Sequence, residues 1–160
     1  PLQREKGPSP VALLERMHGL SDEYLRVIRD GEGLEDAYDE LSWMRRDQAP
    51  QLRVSASKSR KLNYEWQLCL ELHNMLLCLE MSVLASLRRE ESRGGFYRRD
   101  FPYTDNDRFC VNTVISNREG EPALRMEKPV VTTIPLPTGT MSFEEAVASG
   151  TASLKRGGVE

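Results

Sequence analysis

Trp66–Leu87, "WQLCLELHNMLLCLEMSVLASL", is the stretch whose reading decides the fold. Leu68, Leu72, Leu76, Leu79, Val83 and Leu87 recur at three- and four-residue steps, which is helical spacing. Leu70, Met75, Leu77, Met81 and Leu84 fall between them, so apolar side chains run almost all round the helix. Such a helix is the central member of a bundle, packed on several faces. The predicted helix extends from about Leu62 to Ser92, with Gly94 and Gly95 ending it. Glu71, His73, Asn74 and Glu80 interrupt the run, so it reads as a bundle helix and not as a membrane span.

Two shorter helices precede it. Residues 1–9 read as a linker, and Ser9 before Pro10 is an N-cap with proline at the first helical position. From there Leu13, Leu14, Met17, Leu20, Tyr24, Leu25 and Ile28 keep helical spacing. "RDGEG" is expected to end this helix, with its glycines in the left-handed conformation. Leu34, Ala37, Tyr38, Leu41 and Met44 mark a second helix that stops before Pro50, and the short joint favours an antiparallel hairpin of helices. Residues 51–60, "QLRVSASKSR", read as a polar crossover.

Beyond Gly95 the pattern changes. Phe109–Ile115 and Ala123–Met126 flank a turn-like "NREGEP", and with "KPVVTTIP" they predict a hairpin or extended arms. Ser142 and Glu145 form a capping box ahead of a short helix. The fold class is therefore mainly α. It is a three-helix antiparallel bundle with a long central third helix, followed by a small β-hairpin or extended tail and a short C-terminal helix.

The 160 residues are 39% hydrophobic and 29% charged, enough for one domain with a real core. A net charge of −3 argues against general affinity for nucleic acid. Cys69, Cys78 and Cys110 are odd in number and form no CxxC pair, so they read as free thiols of a reducing compartment. "GEGLED" starts like a dinucleotide fingerprint but places Asp36 at the third glycine position. Cys69 and His73 share one helical face, yet two further metal ligands are lacking nearby, so a core cysteine and a local histidine are the expected reading.

The densest charge lies at the end of the long helix, in "REESRGGFYRRDFP" (Arg89–Pro102). Three readings compete there: solvated charges at a helix end, an anion or nucleic-acid site, and a docking surface. Glu90 and Glu91 among so many arginines are expected as ion-pair partners, not as an acid–base dyad.

That segment resembles the "ESRGAH-x-R-x-D" signature of the succinate dehydrogenase and fumarate reductase flavoprotein family, with L-aspartate oxidases among the relatives. "ERMHGLSDEYLRVIRDGEGLEDAYDEL", "CLELHNML" and "RFCVNTV…LRMEKPVVTTIPLP" are similar to successive parts of the family's C-terminal helical domain, in the same order. Glu91, Ser92, Arg93 and Gly94 match the signature, as do Arg98 and Asp100, while its histidine falls at Phe96. The resemblance implies a helical domain with closing hairpin over residues 10–137, and it is not traced into the tail over 138–160, where a short helix is expected.

It also implies a role. The chain would be the C-terminal domain of an FAD-dependent oxidoreductase, not itself catalytic, with no cofactor of its own and FAD in the parent protein. Glu91, Ser92, Arg93, Gly94, Arg98 and Asp100 would be interdomain docking residues, with Arg93 and Arg98 reaching carboxylates or carbonyls of the absent domain. The implied partners are the flavin-binding domain of the same parent chain and an iron–sulfur subunit, with no nucleic acid; a homodimer of the isolated domain is a further expectation. The implied location is the cytoplasm or, as a peripheral subunit, the cytoplasmic face of a membrane. The alternative is a free-standing helical protein-interaction adaptor.

Overall fold

The computed structural model describes residues 1–130 and 135–156, with side chains described through residue 150. The chain divides into two compact units, one of Pro1–Arg26 with Glu32–Leu84 and one of Val27–Gly31 with Ala85–Glu160.

The first unit is the bundle. Helix α1 (Pro10–Tyr24) starts at Ser9 with proline in its first turn, α2 spans Gly31–Trp43, and α3 spans Tyr64–Arg88. Each contributes one buried stripe at helical spacing. These are Leu13 and Met17 on α1, Leu34, Ala37 and Leu41 on α2, and Leu68, Leu72, Leu76 and Val83 on α3. Arg16 on α1 pairs with Glu40 and lies over the ring of Trp43 on α2, as helices running back past one another allow.

Three sequence expectations change here. The "RDGEG" glycines do not cap α1, which ends at Tyr24; Gly31 opens α2, and neither Gly31 nor Gly33 has a left-handed backbone. The second helix stops before Pro50, but not as a plain α-helix. A π-helical turn, Met44–Gln48, continues it and leads into a 3-10 turn, Ala49–Gln51, in which proline at an early position loses no hydrogen bond it would need. The crossover at 51–60 is only partly polar, because Leu52 and Val54 are buried. Residues 1–8 lie along this stretch: Arg53 N–H donates to the carbonyl of Pro8, and Val54 N–H to that of Pro1.

α3 also differs from its expectation. It begins with Asn63 as its N-cap, whose Oδ1 accepts from Trp66 N–H, and it ends before Gly94 because Glu91 and Ser92 have other partners. Length and composition alone would let α3 cross a membrane. Its burial argues for a bundle helix: Glu80, fully buried, accepts from Ser42 Oγ and is ion-paired to Arg45. The helix is not packed on every face, however. Leu70 and Leu77 remain 50% and 39% exposed.

The second unit contains a parallel pairing of β1 (Ile28–Arg29) with β2 (Tyr97–Arg98), then β3 (Tyr103–Asp105), one turn of helix α4 (Asn106–Phe109), and the hairpin of β4 (Asn112–Arg118) and β5 (Glu121–Glu127). Glu119 and Gly120 form the hairpin's two-residue loop with φ of +54° and +93°, the two positive values a type I′ turn requires. β6 (Thr140–Ser142) pairs antiparallel with β3 and leads into α5 (Phe143–Arg156). The expected capping box forms, with Ser142 N–H donating to Glu145 Oε2 at 3.0 Å and Glu145 N–H to Ser142 Oγ at 3.2 Å. Part of "KPVVTTIP" lies outside the described residues.

The buried Glu80 yields a stability prediction. Glu80→Ala removes the buried carboxylate that accepts from Arg45 and Ser42 and leaves a cavity in its place, so urea denaturation should show a loss of about 3 kcal/mol. The double variant Glu80→Leu with Arg45→Met should recover most of that loss, because a buried pair replaced by apolar groups of similar volume costs little.

Candidate functional site: a buried carboxylate–arginine knot

After α3 ends, the chain folds back on a carboxylate. Glu91 is fully buried, and four donors converge on it. Its Oε1 accepts from Arg89 Nη1 and from Arg93 Nε at 2.9 Å, while Oε2 accepts from Arg93 Nη2 and from Asp105 N–H, both at 2.9 Å. Two guanidinium groups and a backbone amide thus give both oxygens of one buried carboxylate their donors, the condition for burying it away from water. Beside this centre, Arg93 Nη2 also donates to Asn106 Oδ1, and Arg89 reaches the carbonyls of Phe109 and Val111. The hydrogen bond to Glu91 is the main cause that raises the proton affinity of Arg93.

Ser92, also buried, ties the next layer together. Its N–H donates to the Tyr103 carbonyl at 2.8 Å, its hydroxyl accepts from Arg98 N–H and donates to the Phe101 carbonyl, and its carbonyl accepts from Thr104 Oγ1. Between Arg93 and Phe96, which exchange both backbone hydrogen bonds, Gly94 takes φ +59° as the first central residue of a tight turn. That conformation costs glycine nothing and a side chain considerably more.

Arg98 is 3% exposed and committed within the chain. It grips Asp100 through Nε and Nη2, donates through Nη1 to the Ser86 carbonyl at 2.8 Å, and lies over the ring of Phe101. Asp100 in turn accepts from Gly31 N–H at 3.1 Å. The Asp100 carboxyl is held below the usual carboxylate range, first by its hydrogen bonds from Arg98 and against the opposing effect of burial.

The six residues singled out in the sequence therefore meet in one structure, but mostly facing inward. Arg98 directs its donors to Asp100 and to the carbonyls of Ser86 and Arg89 at the end of α3. Arg93, with a side chain 34% exposed, makes no hydrogen bond from Nη1 among the described residues and borders an open cleft of about 700 Å³ shared with Arg89, Phe96, Phe109 and Cys110. Sequence reasoning does not single out Asp105, Asn106 or Thr104, which complete the knot from 12 or more residues away and carry no local signal of it. Gly31 reads as a cap residue in the sequence, yet a Cβ there would come within 2.9 Å of Asp100 Oδ2.

The residues do not fit FAD. Gly31 opens a helix after β1, as a dinucleotide fingerprint would, but Asp100 places a carboxylate on its amide where a phosphate would lie, and Asp36 stands at the third glycine position. Among the described residues no group of three His, Cys, Asp or Glu side chains could hold a metal ion, and Cys69 is buried while His73 is exposed.

Comparison with known proteins agrees with this architecture. Residues 14–144 match the family model described as fumarate reductase flavoprotein C-term. The fumarate reductase flavoprotein subunit of Mycobacterium tuberculosis is 35% identical over 117 residues, which cover 71% of this chain and 19% of that protein. One polypeptide of the CoM/CoB fumarate reductase of Methanothermobacter marburgensis is 29% identical over 119 residues, covering 74% and 21%. Among solved structures, FrdA of E. coli quinol fumarate reductase superposes with a TM-score of 0.76 at 20% identity, covering 86% of this chain and 24% of that one. The chain thus spans about a fifth of the length of the curated relatives it matches.

Two outcomes test the Asp100 latch. Gly31→Ala should destabilise the protein by about 1–3 kcal/mol in chemical denaturation, because the new methyl meets a charged pair that cannot easily move. The depressed Asp100 value adds stability that is fully present above the unfolded-state value of about 4 and is lost as pH falls from there through the lower folded-state value. Asp100→Asn should therefore flatten the wild-type fall in stability between about pH 5 and pH 2, measured by urea midpoints.

Proposed function

Because the chain belongs to the fumarate reductase flavoprotein C-terminal family, we propose that it is the non-catalytic helical domain of a longer FAD-dependent oxidoreductase and packs on that protein's flavin-binding part. The observation that carries the proposal is the open face of α3. Trp66, Leu70, His73, Leu77 and Met81 follow one another at three- and four-residue steps on the side away from the buried stripe. A soluble bundle gains nothing from leucines 50% and 39% exposed at Leu70 and Leu77, whereas an interdomain seam uses them.

In this role the chain supplies shape and stability. Hydride chemistry is the flavin's, and no residue here supplies it. The knot around Glu91 keeps the end of α3 rigid, and Arg93, through its outward nitrogen, is the docking donor toward a carbonyl or carboxylate of the neighbouring part. Of the six docking candidates, Arg93 and Gly94 make the contact. Glu91, Ser92, Arg98 and Asp100 hold the turn that presents them. An iron–sulfur subunit is the second partner we propose, in a peripheral assembly at the cytoplasmic face of a membrane.

The test is made on the longer polypeptide. Leu70→Gln with Leu77→Gln should lower retained flavin and the thermal midpoint together, and Arg93→Ala should lower the midpoint by a few degrees. Unchanged flavin content, midpoint and turnover in both variants would rule the proposal out.

A further inference from the structure

The loop that leads into α3 holds one residue in a conformation it does not favour. Leu62 has φ +53° and is 98% exposed. A bulky L residue in the left-handed region is strained, and such strain persists only where the surroundings impose it. Here the surroundings are identifiable. Asn63, buried, donates through Nδ2 to the carbonyls of both Ser57 and Ser59 at 2.8 Å while its Oδ1 caps α3. Ser59 N–H donates to Ser57 Oγ, and Lys61 N–H to Ser59 Oγ, so the loop is wound into successive side-chain turns.

This winding directs one kind of chemistry outward. Lys58, Arg60 and Lys61 are exposed, and among the described residues none of them is ion-paired to a carboxylate. The tip is thus locally basic in a chain of net charge −3. Arg60 lies over the ring of Trp66 at 5.7 Å, and Tyr64 is 65% exposed. A groove lined by Arg60, Leu62, Tyr64, Trp66 and Leu70 joins the tip to the open face of α3.

We propose that the Ser57–Trp66 tip is the anchor of the interdomain seam, with Leu62 seated in an apolar pocket that acidic side chains surround on the flavin-binding part. The inference rests on the reading that this chain is one domain of a longer flavoprotein. Charge complementarity selects the acidic rim. A locked, strained presentation selects a shaped pocket over a bilayer, since a fluid surface needs no fixed backbone, while preorganisation raises affinity for a fixed one. Arg60, Tyr64 and Trp66 beside Leu62 are also of the residue types enriched at interface hot spots.

Hydroxyl-radical footprinting of the intact longer polypeptide, against the 160-residue chain alone, tests the anchor. Leu62 and Tyr64 should be oxidised at least tenfold more slowly in the intact protein, and Lys58→Glu with Lys61→Glu should restore much of their oxidation at low salt. Protection of Leu70 and Leu77 with Leu62 still open would overturn the anchor and leave the domain reading standing. No protection at any of these positions would remove the domain reading and the anchor with it. Leu62 protected only when vesicles of phosphatidylglycerol and phosphatidylcholine are added would assign the tip to a membrane surface and overturn the proposal. Leu62→Gly, which removes the side chain and relieves the strain, should keep the fold by circular dichroism while Tyr64 loses its protection; retained Tyr64 protection would overturn the anchor.

Discussion

The second unit depends on one buried negative charge. An isolated carboxylate in a protein interior costs several kcal/mol, so Glu91 can be buried only if its donors arrive with it. Three come from neighbours in sequence, one from Arg89 and two from Arg93, and the fourth is the amide of Asp105. Each arginine is in turn oriented by carbonyls or by Asn106, which ties the end of α3, the glycine turn and the start of α4 to a single centre. A half-satisfied version of such a network would be worse than an apolar core, so its members stand or fall together.

The charge density at Arg89–Pro102 thus has a cause inside the fold. The charges at its centre are neither solvated nor gathered for an anion. Most neutralise one another inside the fold: Glu91 with Arg89 and Arg93, Asp100 with Arg98. Exposed pairs such as Arg99 with Asp30 and Arg108 with Glu90 contribute little to stability. Few groups are left outward by the knot, the Nη1 of Arg93 among them, on a turn it makes rigid.

What is legible in the sequence depends on the range of the interaction. The helices of the bundle, the hairpin and the Ser142–Glu145 capping box rest on residues within a few positions of one another, and their signals stand in the sequence. The start of α2 misleads because glycines after a helix usually end it, and the carboxylate that receives Gly31 N–H lies 69 residues away at Asp100. The knot is half legible: arginines and acids are visibly clustered, but the amide of Asp105 and the side chain of Asn106 can be assigned only once the chain has folded back. The apolar girdle of α3 suggests burial on several faces, whereas a single chain of this length covers only one stripe.

The parallel pairing of Ile28 with Tyr97 and of Arg29 with Arg98 has one more consequence. It threads residues 27–31 from between two bundle helices into a unit otherwise built from the C-terminal half. Neither unit is a continuous stretch of chain, so no single cut separates them, and a gene fragment ending near Leu84 would encode a bundle together with an orphaned strand. The two units can therefore be inherited, transferred or duplicated only as one piece.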